Sequence, residues 1–154
     1  MFKHLLIPTD GSDLSRKAVL YGVRLAKECG AKVTALTLAE PYRVASMDAV
    51  LVSVGEDEYE EESRRIAEQA LEQVRIAADA AGVPCDTIRE VHDQPYRAII
   101  DAAHAKDCDL IVMASHGRRG VSALLLGSET VKVLTHSTIP VLVYRCASLG
   151  PFDS

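Results

Sequence analysis

The sequence predicts a single α/β domain: a doubly wound, five-stranded parallel sheet with helices on both faces and strand order 3-2-1-4-5. Three observations carry this. Short apolar runs alternate with longer segments whose apolar residues recur every three or four positions, the pattern of a parallel sheet wrapped by helices. The run Asp109 to Ala114 is almost continuously apolar, as a strand covered on both faces requires. The length, 154 residues and 16.7 kDa, fits one domain, since domains commonly hold about 100–150 residues. That domain is set at residues 1–146, with 147–154 as a loose tail.

Each element has its own signature. His4 to Pro8 reads as the first strand and ends at the turn Thr9-Asp10-Gly11. Ser12 or Asp13 can cap a helix whose apolar face would hold Leu14, Ala18, Tyr21 and Leu25, and Gly30 supplies a left-handed stop. Lys32 to Leu38 is the second strand. Residues 40–56 are the least legible stretch. The acidic opening Glu56-Asp57-Glu58 suits a helix start, where negative charge meets the positive end of the dipole. Ile66, Ala70, Val74 and Ala77 would form that helix's inner stripe, with Gly82 ending it. Cys85 to Val91 is the third strand. Pro95 fits the first turn of a third helix, with Ile99, Ile100 and Ala103 inward. Asp109 to Ala114 is the fourth strand, Ser128 to Thr135 a short helix, and Ile139 to Tyr144 the last strand.

Composition narrows the function. Seventeen basic against 22 acidic residues give a net charge of −5, which disfavours the clustered positive face that nucleic acid would need. No apolar run approaches the roughly 20 residues of a membrane span, so no membrane partner is expected. Cys29, Cys85, Cys108 and Cys146 are widely spaced and form no C-x-x-C, as buried free thiols in a reducing compartment would be. With no signal-peptide pattern after Met1, the expected location is the cytoplasm.

Ligands of doubly wound sheets bind beyond the carboxyl ends of the strands, where strand order reverses. That places the site at Thr9-Asp10-Gly11 and at the loop from Ala114 onward. The loop holds Gly117 and Gly120 around Arg118 and Arg119, and Gly127-Ser128 opens a helix. Bare backbone N–H groups can reach phosphate oxygens, and a helix start adds a favourable dipole. Neither G-x-x-x-x-G-K-[ST] nor G-x-G-x-x-G occurs, so the P-loop and dinucleotide signatures are absent. Arg118 and Arg119 are equally readable as phosphate contacts or solvated loop residues. Asp10 can bind ligand or stabilise its own turn, and His116 can touch a phosphate or bond to backbone. Ser128 can cap its helix and bind ligand at once, and Met113 serves the core as well as a ligand wall. No histidine or cysteine spacing indicates a metal, and no nucleophile elbow or water-positioning base marks a catalytic centre.

The stretches Ile7-Pro8-Thr9-Asp10-Gly11-Ser12, Gly127-Ser128 and Ile139-Pro140-Val141-Leu142-Val143 together resemble the universal stress protein family, over nearly the whole chain. Its nucleotide-binding members carry Gly, two residues, Gly, nine residues, then Gly and Ser or Thr. Here Ala114 stands at the first glycine, Gly117 at the second, and Gly127-Ser128 close the motif with the spacing of nine intact. The resemblance implies a homodimer built through Val141, Leu142 and Val143 of the last strand. It also implies an ATP, ADP or AMP site, with Mg2+ as a permitted companion of the phosphates. Adenine would lie between the ends of the first two strands against Leu38, with Pro8, Thr9 and Asp10 near the nucleoside. Met113 and Ala114 would line the ribose. Gly117, Gly127, Ser128 and Glu129 would surround the phosphates, with His116, Arg118 and Gly120 in the same loop. The expected role is in regulation or stress response, with an unidentified protein partner sensing the Ser115 to Leu126 loop as nucleotide orders it. Two alternatives keep the fold: a nucleotide-independent dimeric interaction module, with Ala114 marking a lost site, or a slow ATPase or phosphotransferase using Asp10 and Ser128.

Overall fold

In the computed structural model the described residues are 1–42, 55–117 and 125–146. The elements in chain order are β1 (His4–Pro8), α1 (Asp13–Cys29), β2 (Lys32–Ala39), α2 (Glu56–Ala81), β3 (Cys85–Val91), α3 (Pro95–Ala105), β4 (Leu110–Ala114), α4 (Ser128–His136) and β5 (Val141–Tyr144). All five strands pair in parallel, in the order β3-β2-β1-β4-β5. The doubly wound reading of the sequence is therefore met in class, strand number and order. The expected tail, 147–154, lies outside the described residues.

Alternation along the central strands divides the core in two, because successive side chains leave a strand on opposite faces. Leu5 and Ile7 of β1, Val33 and Ala35 of β2, and Leu110 and Val112 of β4 pack against Val19 and Val23 of α1 and Leu71, Val74 and Ala78 of α2. Leu6, Leu36, Ile111 and Met113 face the other way, onto Ile99, Ala102 and Ala103 of α3 and Val133 of α4.

Helix α1 differs from its expected face. Of Leu14, Ala18, Tyr21 and Leu25, only Ala18 is buried; the buried set is Ser15, Ala18, Val19, Gly22, Val23 and Ala26. The cause is the closeness of the helix to the sheet. A Cβ on Gly22 would lie 2.6 Å from Ile7 Cδ1 and 3.3 Å from Val112 Cγ1, so small residues face inward. Leu20 is left 61% exposed, and Tyr21 rests its ring on Tyr144, centroids 5.6 Å apart. In α2, Ala70 and Val74 are buried with Ala67, Leu71 and Ala78, while Ile66 and Ala77 flank that stripe half-buried. Pro95 opens α3 as expected, and Gly30 and Gly82 adopt the left-handed conformation that ends α1 and α2.

Strand β5 begins two residues later than its apolar run suggests. Ser137 Oγ donates to Ile139 O (2.7 Å) and accepts from Ile139 N (3.0 Å), closing a tight turn before Pro140.

The amino ends of β1 and β4 hold a polar cluster. His4 Nε2 meets Thr34 Oγ1 at 2.7 Å, and the Asp109 carboxylate accepts the N–H groups of Lys3 (2.9 Å) and His4 (3.0 Å). Burial lowers the His4 pKa, with the Lys32 charge adding to it. Burial pushes the Asp109 carboxyl up, but backbone N–H groups, those of His4 and Lys3 foremost, outweigh it and leave its pKa below the ordinary value. All four cysteines are free thiols, yet only Cys108 is buried; Cys29 and Cys85 are half-buried and Cys146 is exposed. Burial raises the Cys108 thiol to about 11. Among the described residues no helix is long and apolar enough to cross a membrane.

Candidate functional site

The turn after β1 is fixed by its own short polar side chains. Thr9 N–H donates to Leu36 O (2.9 Å), carrying the β1–β2 ladder one residue past Pro8. Buried Thr9 Oγ1 meets Ser15 Oγ at 2.8 Å and accepts from Gly11 N at 3.2 Å, while Ser15 Oγ accepts from Asp10 N at 3.1 Å. Asp10 Oδ1 accepts from Ser12 N (2.9 Å), and Ser12 Oγ caps α1 through Ser15 N (3.3 Å). Gly11 sits at φ 75°, where a side chain would be strained. The turn-forming role of Asp10 is thus present, and its second oxygen remains directed elsewhere.

That oxygen meets the glycine loop. A Cβ built on Gly117 would stand 2.6 Å from Asp10 Oδ2, so the missing side chain is what lets carboxylate and loop approach. The structure accordingly brings Asp10 and Gly117, 107 positions apart in the numbering, into one place. His116, half-buried, places Nδ1 3.3 Å from Gly117 O, a backbone contact. Arg118 and Gly120, with Arg119, lie outside the described residues.

The far wall is the end of β4 and the start of α4. Met113 is buried, and Ala114 ends β4 opposite Tyr144. Among described non-glycine residues only Asp107 has a positive φ, so Ala114 holds ordinary extended backbone, where a methyl group is no hindrance. Ser115 N donates to Tyr144 O (2.9 Å), and Gly127 N to Ser115 O (2.8 Å). A Cβ on Gly127 would fall 3.2 Å from His116 Cα and 3.3 Å from Ser115 O. Thr130 Oγ1 lies 3.1 Å from both Ala114 O and Ser115 O, clamping α4 to β4. Sequence reasoning passed over Thr130; a hydroxyl in a helix's first turn was its only local sign.

Gly127 is the N-cap of α4 and supplies no side-chain hydrogen bond, and Ser128 behind it is exposed. A helix start without a side-chain cap presents its first N–H groups and positive dipole end to an anion. Glu129 turns away from it, with Oε2 accepting Tyr96 N at 2.9 Å and Oε1 3.4 Å from Lys132 Nζ. Leu38 lies half-buried in β2, two residues beyond Leu36, the register partner of half-buried Pro8. A cleft of about 450 Å³ between α1 and α2 is lined by Thr9 together with Arg16, Lys17, Leu20 and Val74. Among the described residues no group of three or more His, Cys, Asp or Glu side chains could hold a metal.

Residues 1–145 match the model of the Universal stress protein family. A universal stress protein of Thermus aquaticus is 36% identical over 146 residues, covering 94% of this chain and 100% of that one. Universal stress protein YxiE of Bacillus subtilis is 35% identical, with 94% and 100% covered. Among solved structures, hypothetical protein MJ0577 superposes with a TM-score of 0.80 at 26% identity, covering 96% of this chain and 99% of its own. A universal stress protein in complex with cAMP gives 0.70 at 26% identity, covering 94% and 97%. One from Archaeoglobus fulgidus, in complex with dAMP, shares the fold at 0.65 and 18% identity, covering 93% and 97%. The chain belongs to the universal stress protein family.

Proposed function

We propose that this member of the family is a nucleotide-binding regulatory protein that takes ATP, or AMP or ADP, at the carboxyl ends of β1 and β4. The observation that carries the reading is the start of α4: a glycine cap without a side-chain hydrogen bond, held by Thr130 beside the Asp10–Gly117 contact. The residues fit the group. Bare amides and an open dipole end suit phosphate oxygens. Thr9, Asp10 and Leu38 stand on the β1–β2 side, where a nucleoside would extend, and Ala114 fits the strand end without strain. The adenine nucleotides in the cAMP and dAMP complexes of related folds support the same ligand class.

When bound, Mg2+ would offset phosphate charge, and Asp10 is the carboxylate at hand. The reading is one of binding, carried by backbone amides at the start of α4. Mass spectrometry of the denatured, freshly purified protein, followed by calorimetric titration with ATP and AMP, tests the proposal. Release of an adenine nucleotide or saturable heat supports it. No nucleotide and no heat would favour a nucleotide-independent module.

The same proposal includes a homodimer through β5. All four β5 residues are half-buried at the sheet edge, and Val131 and Leu134 of α4 are 45% and 42% exposed. An uncovered apolar edge strand favours pairing with a second copy. Sedimentation that gives a monomer at micromolar concentration refutes this part. The protein would act in the cytoplasm, where its four thiols stay reduced, with a protein partner that senses the 115–126 loop. Slower proteolysis of that loop with ATP is the expected sign.

A further inference from the structure

We infer that Glu129 is a positioning residue: its carboxylate caps α3 across the α3–α4 cleft and thereby fixes the α4 amides that face the phosphate. The inference rests on the nucleotide reading above and gives Glu129 a role outside the ligand's own contacts.

The first turn of α3 is short of caps. Its N-cap, Gln94, gives no side-chain capping hydrogen bond, and Pro95 at the first helical position has no N–H. The N–H of Tyr96 is therefore the first donor needing an acceptor, and Glu129 Oε2 provides one at 2.9 Å from a different helix. One stripe of α4 completes the clasp on Tyr96. Lys132, three residues on, holds Nζ 5.7 Å from the Tyr96 ring centroid and 3.4 Å from Glu129 Oε1. His136, seven residues on, brings its ring centroid to 5.3 Å from that of Tyr96. These groups line a cleft of about 290 Å³ that also includes Asp93.

The next residue, Thr130, ties the same turn of α4 to Ala114 O and Ser115 O at the end of β4. The start of α4 is thus braced from two directions, by β4 through Thr130 and by α3 through Glu129. The Tyr96 bond has a second effect. An unrestrained carboxylate in the first turn of a helix is drawn to the positive end of the dipole, where it would compete with a phosphate. Held by Tyr96 N–H and Lys132, the Glu129 carboxylate stays on the α3 side.

The test compares Glu129→Ala and Glu129→Gln with the wild type, titrated with ATP, AMP and adenosine. Glutamine keeps an oxygen that can accept from Tyr96 N–H; alanine does not. Loss of the cap in Glu129→Ala should weaken ATP and AMP about three- to tenfold and leave adenosine unchanged, with Glu129→Gln close to wild type. If Glu129→Gln changes phosphate affinity as much as Glu129→Ala, the carboxylate acts directly on the phosphate and the inference is overturned. If both variants bind all three ligands like the wild type, it is overturned equally. Amide hydrogen exchange at Tyr96 separates this from the nucleotide reading. Should the wild type bind none of the ligands, that reading fails. Faster Tyr96 exchange in Glu129→Ala, restored in Glu129→Gln, would still support the cap, and equal exchange in all three would remove it.

Discussion

The two ends of the sheet use polar residues in opposite ways. At the amino end, His4 and Thr34 bond to each other and Asp109 takes two backbone N–H groups with its two oxygens, so the cluster closes on itself. At the carboxyl end, the β1 turn is also satisfied internally, but α4 starts on a glycine with no side-chain cap and Gly117 leaves its place to Asp10 Oδ2. The difference teaches where to look for a ligand in this fold. Saturated polar clusters hold strands together, while a helix start without a side-chain cap, beside side-chain-free backbone, has hydrogen-bonding capacity left for something else. If that contrast is right, substitutions at the two ends should separate binding from stability.

The largest separation is expected at Gly117. Valine there would drive a side chain into Asp10 Oδ2, already 2.6 Å from an ideal Cβ, in a half-open loop rather than the core. ATP affinity should fall about a hundredfold, near 2.8 kcal/mol, with little change in Tm. Titration and thermal unfolding of the same sample decide it; a Tm drop as large as the binding loss would erase the contrast. The converse is Asp109→Ala. Removing the carboxylate leaves the part-buried N–H of His4 without its acceptor and should cost about 1 kcal/mol in urea unfolding, with nucleotide affinity unchanged. A loss of binding at this distance would mean that the two ends are coupled.

The sequence carried the fold further than the faces of its helices. The sequence of elements followed from apolar runs and glycine stops, which are local signals, and the strand order came with the doubly wound class that their alternation implies. The face of α1 did not, because apolar size misleads where a helix lies close to a sheet: Gly22 and Ser15 are buried there, while Leu20 and Tyr21 are exposed. At the candidate site, the proximity of Asp10 and Gly117 is a finding of the fold, while each residue stands out in the chain as small or turn-forming. The Glu129–Tyr96 bond, across 33 residues, leaves no local spacing to read. The part of the loop holding Arg118, Arg119 and Gly120 lies outside the described residues.

A smaller effect should appear with pH at the amino end alone. Burial favours the neutral His4 ring, so its folded pKa lies below the unfolded value, near 6.5. As pH falls, the unfolded chain takes up the proton first; stability is therefore full above about pH 6.5 and is lost as pH drops through the folded value. Asp109, also lowered, extends the loss further into acid. Thermal unfolding between about pH 8 and pH 4 should show this decline, and His4→Gln should remove its upper part. A flat Tm across that upper range would mean that burial does not hold the folded His4 pKa below its unfolded value.

The smallest effect is expected at Ala114. Ala114 ends β4 in extended backbone, paired with Tyr144, and its carbonyl accepts from Thr130 Oγ1. Nothing in that geometry calls for a positive φ, so restoring glycine relieves no strain. It adds freedom to the unfolded chain instead, and Ala114→Gly should lower stability by about 0.5–1 kcal/mol. ATP affinity should stay within about twofold, less than 0.5 kcal/mol. A rise of tenfold or more would show that the methyl group itself excludes nucleotide, and the carboxyl end would then be a site closed by one side chain. An unchanged affinity, beside a large loss in Gly117→Val, would show that position 117 sets access and position 114 does not.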